Sequence, residues 1–256
     1  MLISRSTAIL ILVSSLGACS ESSTQRPAAT SAKALPDTAA VRKAAREYRV
    51  HYNAPVSLDS TDFYYQPISV VPLDQTVRSR ILSSSSYGSE YDETSSNIEG
   101  TCYNVLFFQK STLQEHALLS HGRFVISEID TYIKPDARWP YLFYTIIKAD
   151  TNADGSQNEE DASALFTSDR SGQQLHQLTP DGTHLENRLI LPKTNVLLVE
   201  VKPDVNQDRE FTHADGTYWL RFDLRNLANP PQRQPAASLT KQLQQQMLDR
   251  QSRLAQ

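Results

Sequence analysis

A mainly β chain, built of antiparallel β-hairpin repeats with a short N-terminal helix and a C-terminal helix, is the fold class this sequence predicts. Three observations predict it. Runs rich in β-branched and aromatic residues recur, among them Phe63–Val71 (FYYQPISVV), Tyr141–Lys148 (YLFYTIIK) and Val196–Lys202 (VLLVEVK). Such side chains suit a pleated, half-buried surface. Polar stretches rich in Gly, Asp, Asn and Ser separate these runs and supply turn chemistry. The chain also repeats itself: Asn104–Leu118 lies without gaps over Ala164–Leu178, sixty residues apart, and Tyr141–Lys148 overlays Val196–Lys202 at a spacing of about fifty-four. Self-similarity at such a period marks an architecture in which each unit closes its core against the next.

Taken in order, the first 18 residues read as a targeting segment. Arg5 is followed by the apolar run Thr7–Leu16, too short to cross a bilayer core of ~30 Å as a helix but suited to a signal-peptide core. It ends in Leu16-Gly17-Ala18-Cys19, which resembles the bacterial lipobox, where cleavage precedes an acylated cysteine. The resemblance implies lipidation at Cys19 and anchoring in a membrane, and Ser20 in place of Asp implies an outer-membrane destination, periplasmic or surface-facing. Residues 19–36 are rich in Ser, Thr and Ala with two prolines, the composition of a flexible tether. Asp37 is placed to cap a short Ala-rich helix through Arg46.

The β-repeat domain is expected over 37–228. Within it Ser83–Gly100 is long, polar and patternless, as mobile loops are. If Cys19 is acylated, Cys102 is the remaining thiol, and the strand-like Tyr103–Phe108 beside it predicts a buried one. Asn229-Pro230-Pro231 then breaks the domain, and Ala236–Gln256 reads as a helix with Leu239, Leu243, Met247, Arg250 and Leu254 near one face.

Two acidic loops follow the strongest strand signals. The first reads Asp150-x-Asn152-x-Asp154-Gly155-x5-Asp161 and the second Asp204-x-Asn206-x-Asp208-Arg209-x5-Asp215. Both match the twelve-residue pattern by which a loop wraps a calcium ion, a hard cation that takes six to eight oxygens at ~2.3–2.6 Å. Oxygen side chains on alternate residues turn inward together, and a glycine at the sixth position permits the sharp bend. Candidate ligands in the first loop are Asp150, Asn152, Asp154, the Ser156 carbonyl, Asn158 and the closing Asp161. In the second they are Asp204, Asn206, Asp208, the Glu210 carbonyl, Thr212 and Asp215, with Arg209 where glycine belongs. The flanking FYTIIK and LLVEVK favour strand over helix. These are EF-hand-like loops set between strands, and the ion's expected role is structural.

The stretch LFTSDRSGQQLHQLTPDGTHL (165–185) resembles a TolB-type β-propeller repeat, with Asp169, Gly172 and Leu178-Thr179-Pro180-Asp181-Gly182 at the family's positions. Residues 119–122 and 192–195 depart from the family's Pro-Asp-Gly turns. About two and a half to three units fit, fewer than the roughly four or more blades of a closed propeller, so the expectation is a partial, propeller-like stack.

With a formal charge of −4, the chain has no basic field for a phosphate backbone, which argues against nucleic acid as a partner. It carries no Gly-x-Ser-x-Gly elbow, His-Glu-x-x-His, Cys-x-x-Cys or Gly-rich phosphate loop. The function predicted is that of a lipid-anchored envelope protein whose calcium-stabilised β domain acts as a binding or assembly module, its partner another envelope protein or a surface glycan. The alternative is an envelope enzyme, a hydrolase whose site is dispersed over loops.

Overall fold

A computed structural model describes residues 38–73, 98–129 and 139–254. The expected signal segment, Cys19, the expected tether and residues 83–97 of the polar stretch lie outside the described residues. A short helix α1 (Thr38–Glu47) opens the described chain and carries no buried residue. Three antiparallel sheets follow in chain order.

The first contains β1 (Tyr48–Tyr52), β2 (Val56–Ser57), β3 (Phe63–Pro72), β4 (Thr101–Gln109) and β5 (Glu115–Ala117), in the order β1-β3-β4-β5 with β2 beside β3. Pro67 sits in the middle of β3 because of a gap. Its neighbours across one edge change there, from β1, which ends opposite Ile68, to β2, which begins opposite Tyr65. The Pro67 carbonyl accepts from the Asn53 amide in that gap (3.0 Å), and the return bond to the Asn53 carbonyl, which proline cannot donate, comes instead from Gln66 Nε2 (2.8 Å).

The second sheet is the meander β6 (Val125–Ile129), β7 (Tyr141–Ile147), β8 (Ser163–Asp169) and β9 (His176–Gln177), and the third is β10 (Thr183–Ile190), β11 (Val196–Pro203), β12 (Tyr218–Asp223) and β13 (Gln232–Gln234). The second is buried on both faces, and its residues show how. Leu142, Tyr144 and Ile146 of β7, with Ala164 and Phe166 of β8, join Tyr65, Val105 and Phe107 of the first sheet in one core. Phe143 and Leu165 point the other way, into a second core with Leu197, Val199, Val201, Leu220 and Phe222 of the third. Period-two alternation thus sends successive side chains to opposite cores. Each large apolar side chain so buried stabilises by about 1.5–3 kcal/mol.

The sequence repeat is a structural one. At sixty residues' separation Leu118 N–H donates to the Val105 carbonyl and Leu178 N–H to the Leu165 carbonyl, each at 2.8 Å. Phe107 pairs with His116 and Thr167 with His176 at the same offset. The expected fold class holds: mainly antiparallel β, with helices at 38–47 and α2 (Ala237–Leu254). One boundary differs. The proline-rich break expected from 229 supplies β13, which pairs with β12 from Trp219 to Arg221; a short edge strand tolerates flanking prolines that a central one does not. Cys102 is buried, and burial pushes its thiol up to about 11, which makes it an inert one.

Candidate metal centres in two equivalent loops

Residues 150–161 connect β7 to β8, and residues 204–215 connect β11 to β12. Each is therefore the central loop of its four-stranded meander. The flanks are strands, as the β-branched sequences on either side dictate.

The two loops match bond for bond. At the first position, Asp150 Oδ2 accepts from Gly155 N–H (2.9 Å) and Asp204 Oδ2 from Arg209 N–H (3.1 Å). At the third, Asn152 Oδ1 accepts from Asp154 N–H (3.0 Å) and Asn206 Oδ1 from Asp208 N–H (3.3 Å). At the fifth, Asp154 Oδ1 accepts from Ser156 N–H (2.7 Å) and Asp208 Oδ1 from Glu210 N–H (2.8 Å). The backbone agrees as well: the fourth and sixth positions are left-handed in both, at Ala153 (60°) and Gly155 (87°), and at Gln207 (62°) and Arg209 (68°).

Asp161 and Asp215, expected from sequence to close each site as ligands, are engaged by the loop itself. Asp161 Oδ1 accepts from the Thr151 (2.6 Å) and Asn152 (3.3 Å) amides and the Thr151 hydroxyl (3.1 Å), while Oδ2 accepts from Asn158 N–H (2.9 Å). Asp215 takes Val205 N–H (3.1 Å) on Oδ1 and the Thr212 amide (2.9 Å) and hydroxyl (3.1 Å) on Oδ2. Burial pushes the Asp161 carboxyl up, but the Asn158, Thr151 and Asn152 amides outweigh it and hold it below the usual carboxylate range. The Thr212 and Val205 amides hold Asp215 low in the same way. Both residues are latches that tie the second and ninth positions together. A capping box on the one-turn 3-10 helix His213–Asp215 is part of the second latch.

One atom per loop is left over. Asp150 Oδ1 and Asp204 Oδ1, at the same first position, are buried and accept no hydrogen bond. A carboxylate oxygen is acceptor-only and costly to bury unpaired, and the same unpartnered oxygen recurs at the first position of both loops. Among the described residues no group of three or more His, Cys, Asp or Glu side chains is disposed to hold a metal. With Asp161 and Asp215 bonded to loop amides, the carboxylates left at the pattern positions are Asp150 and Asp154 in the first loop and Asp204 and Asp208 in the second. Any further ligands would come from Asn152 or Asn206, from the Ser156 or Glu210 carbonyl, and from Asn158 or Thr212, all of which lie in exposed or half-buried positions. Oxygen donors of that kind suit a hard cation and exclude a soft one.

Sequence reasoning had no means of singling out Thr151, whose hydroxyl donates to Asp161 and accepts from Ala162 N–H (2.9 Å). It also left His184 aside. Its Nδ1 accepts from Ser163 N–H (3.2 Å) at the exit of the first loop, and its ring packs on Phe211 of the second, 5.7 Å between centroids. Burial holds this imidazole below its ordinary value, which keeps Nδ1 an acceptor.

Arg209 occupies a left-handed conformation that disfavours an L-residue by about 1–2 kcal/mol, partly offset in any comparison with glycine by glycine's larger entropy loss. Arg209→Gly is expected to stabilise the protein by about 0.5–1 kcal/mol, a rise in melting temperature of roughly 1–4 °C. A melt in chelator checks it, and an unchanged or lower midpoint contradicts it.

No protein-family model matches the chain, and no curated protein matches it in sequence.

Proposed function

We propose that this chain is a lipid-anchored bacterial cell-envelope protein whose β-repeat domain is stabilised by calcium in the loops 150–161 and 204–215 and serves as a binding or assembly module. The observation that carries the metal is the pair of buried, unpartnered oxygens, Asp150 Oδ1 and Asp204 Oδ1, inside loops whose first, third and fifth positions make the same hydrogen bonds. Asp150, Asn152, Asp154, Ser156 and Asn158 would hold the first ion, and Asp204, Asn206, Asp208, Glu210 and Thr212 the second, with Asp161 and Asp215 orienting each loop. When bound, the ion supplies charge neutralisation and cross-linking of an extended connection, and no reaction chemistry. The anchor rests on the Leu16-Gly17-Ala18-Cys19 motif, and the module reading on the TolB-type resemblance of 165–185 and on three stacked sheets that offer broad surfaces.

Extracellular calcium modules work at dissociation constants of ~10⁻⁴–10⁻³ M. An ion present at ten times its dissociation constant contributes about 1.4 kcal/mol by linkage. For a chain of this size that raises the melting temperature by roughly 3–6 °C per occupied site. The test is a thermal melt of the chain from residue 38 onward, in chelator and in millimolar calcium with magnesium as control. An upward shift specific to calcium and lost in the double variant Asp150→Ala/Asp204→Ala supports the reading. A melt unmoved by millimolar calcium overturns it.

A further inference from the structure

At the end of the third sheet away from its acidic loop, three segments meet around a cleft of about 400 Å³. They are the β10–β11 turn with Asn195, the end of β12 with Arg221, Asp223 and Arg225 just beyond it, and the connector into β13 with Asn229 and Gln232. The rim is built by backbone anchors. Leu224 N–H donates to the Asn195 carbonyl (2.8 Å), and Leu224 and Leu227 are sunk in the second core. Asn226 N–H donates to the Asp223 carbonyl (3.0 Å), and the Asn226 side-chain amide reaches Asn229 Oδ1 (3.3 Å). Thr194 caps the turn through Leu191 and Val196. The polar side chains are thus displayed from fixed backbone.

Their charges do not balance. Arg225 grips Asp223 as a fork, Nε to Oδ1 at 2.9 Å and Nη2 to Oδ2 at 2.6 Å. That bidentate pair is neutral and rigid. Arg221 has no carboxylate partner among the described residues, and its guanidinium meets only the neutral Gln232 side chain. The cleft therefore holds one uncompensated guanidinium, a fork-shaped donor matched to a carboxylate, beside three carboxamides that each donate and accept. Its volume lies in the range of small-ligand sites. Val196, Phe222 and Pro230 are the apolar groups in its lining, and Phe222 is itself buried in the second core.

We propose that this cleft binds a carboxylated saccharide, with Arg221 taking the carboxylate and Asn195, Asn229 and Gln232 the hydroxyls. The inference narrows the partner in the functional reading above to an acidic surface glycan, and it rests on that reading's placement of the chain in the envelope. It does not require the metal, so the two are tested apart.

Calorimetric titration of the full chain with a galacturonic acid oligosaccharide, in chelator so that calcium contributes nothing, tests it. The expected result is saturable binding that weakens about tenfold or more in Arg221→Gln and several-fold in Asn229→Ala, with melting temperatures kept within about 2 °C because both side chains are exposed. A neutral oligosaccharide of equal length should bind at least tenfold more weakly than the uronate. No binding by the wild type overturns the proposal, and so does equal binding by Arg221→Gln. Equal binding of an oligoglutamate peptide, or of inorganic phosphate alone, also overturns it, by showing a general anion site. Failure here with a retained calcium shift in the melt removes the glycan and leaves the metal reading standing.

Discussion

Gly172→Ala is expected to lower stability by about 2–5 kcal/mol, and Gly182→Ala by only about 1. Both glycines lie in turns with left-handed backbones, at 79° and 72°. An L-residue there is disfavoured by roughly 1–2 kcal/mol, partly offset by glycine's entropy. The difference is what a methyl group meets. At Gly182 nothing lies within 4 Å, whereas at Gly172 a Cβ would stand 2.3 Å from Phe107 Cδ2 and 2.4 Å from its Cε2. Phe107 cannot step aside. It is fully buried in the first core, stacked against His116 at 5.6 Å and tilted on Tyr65 at 6.0 Å. Forcing such a ring adds about 1–3 kcal/mol of overpacking. Thermal melts of the two variants side by side, with drops of roughly 4–20 °C and 2–4 °C, check the prediction. Equal drops would mean that the turn of the second sheet does not bear on the first.

The same turn shows how far the fold was legible. Asp169 and Gly172 could be placed from sequence because turn chemistry is local: Asp169 Oδ1 accepts from the Ser171 and Gln173 amides, both 2.9 Å, and Gly172 takes the left-handed position. The strands were legible because Leu142, Phe143, Tyr144 and Ile146 divide between two cores, so the run is nearly continuous in apolar residues, and Thr145 among them is itself β-branched. What local chemistry cannot encode is that Gly172 abuts Phe107, sixty-five residues earlier, or that residues 232–234 between prolines complete the third sheet. The stripe on α2 was legible as a stripe, yet none of its residues is buried. The helix forms on propensity and leaves that face uncovered.

The candidate site divides in the same way. Composition located both loops and flagged Arg209 as the odd residue, and its φ of 68° shows the loop imposing its conformation on a side chain that resists it. Composition could not separate Asp150 from Asp161, since both are aspartates at pattern positions. Their difference is one of accepted hydrogen bonds. Asp161 is saturated by amides and Asp150 keeps one oxygen bare, a distinction that exists only once the chain has turned back on itself. The Arg221 and Arg225 cleft was invisible for a related reason: its charge balance depends on which guanidinium Asp223 chooses.

That distinction between a saturated carboxylate and one with a bare oxygen yields different expected responses to calcium. Asp161→Ala is expected to cost on the order of 3 kcal/mol even in chelator, because it strands the Thr151, Asn152 and Asn158 amides and the Thr151 hydroxyl around a side chain only 1% exposed. Asp215→Ala, at a more exposed latch, should cost markedly less, since water reaches the freed amides. Asp150→Ala should change little in chelator, where it loses one bond to an exposed amide and removes an unpaired buried oxygen, and should cost the first ion's full share in calcium. Acid separates them further. The Asp161 carboxyl is held low in the folded state, so its stabilisation is complete above the ordinary carboxylate value near 4 and is lost as pH falls through its own lowered value. In chelator the wild type should therefore lose stability through that window more steeply than Asp161→Ala does. Melts of the three variants, with and without calcium, across pH 3–7 decide it. The assignment of Asp161 as latch and Asp150 as ligand fails if Asp161→Ala is as mild as Asp215→Ala in chelator, or if Asp150→Ala loses as much without calcium as with it.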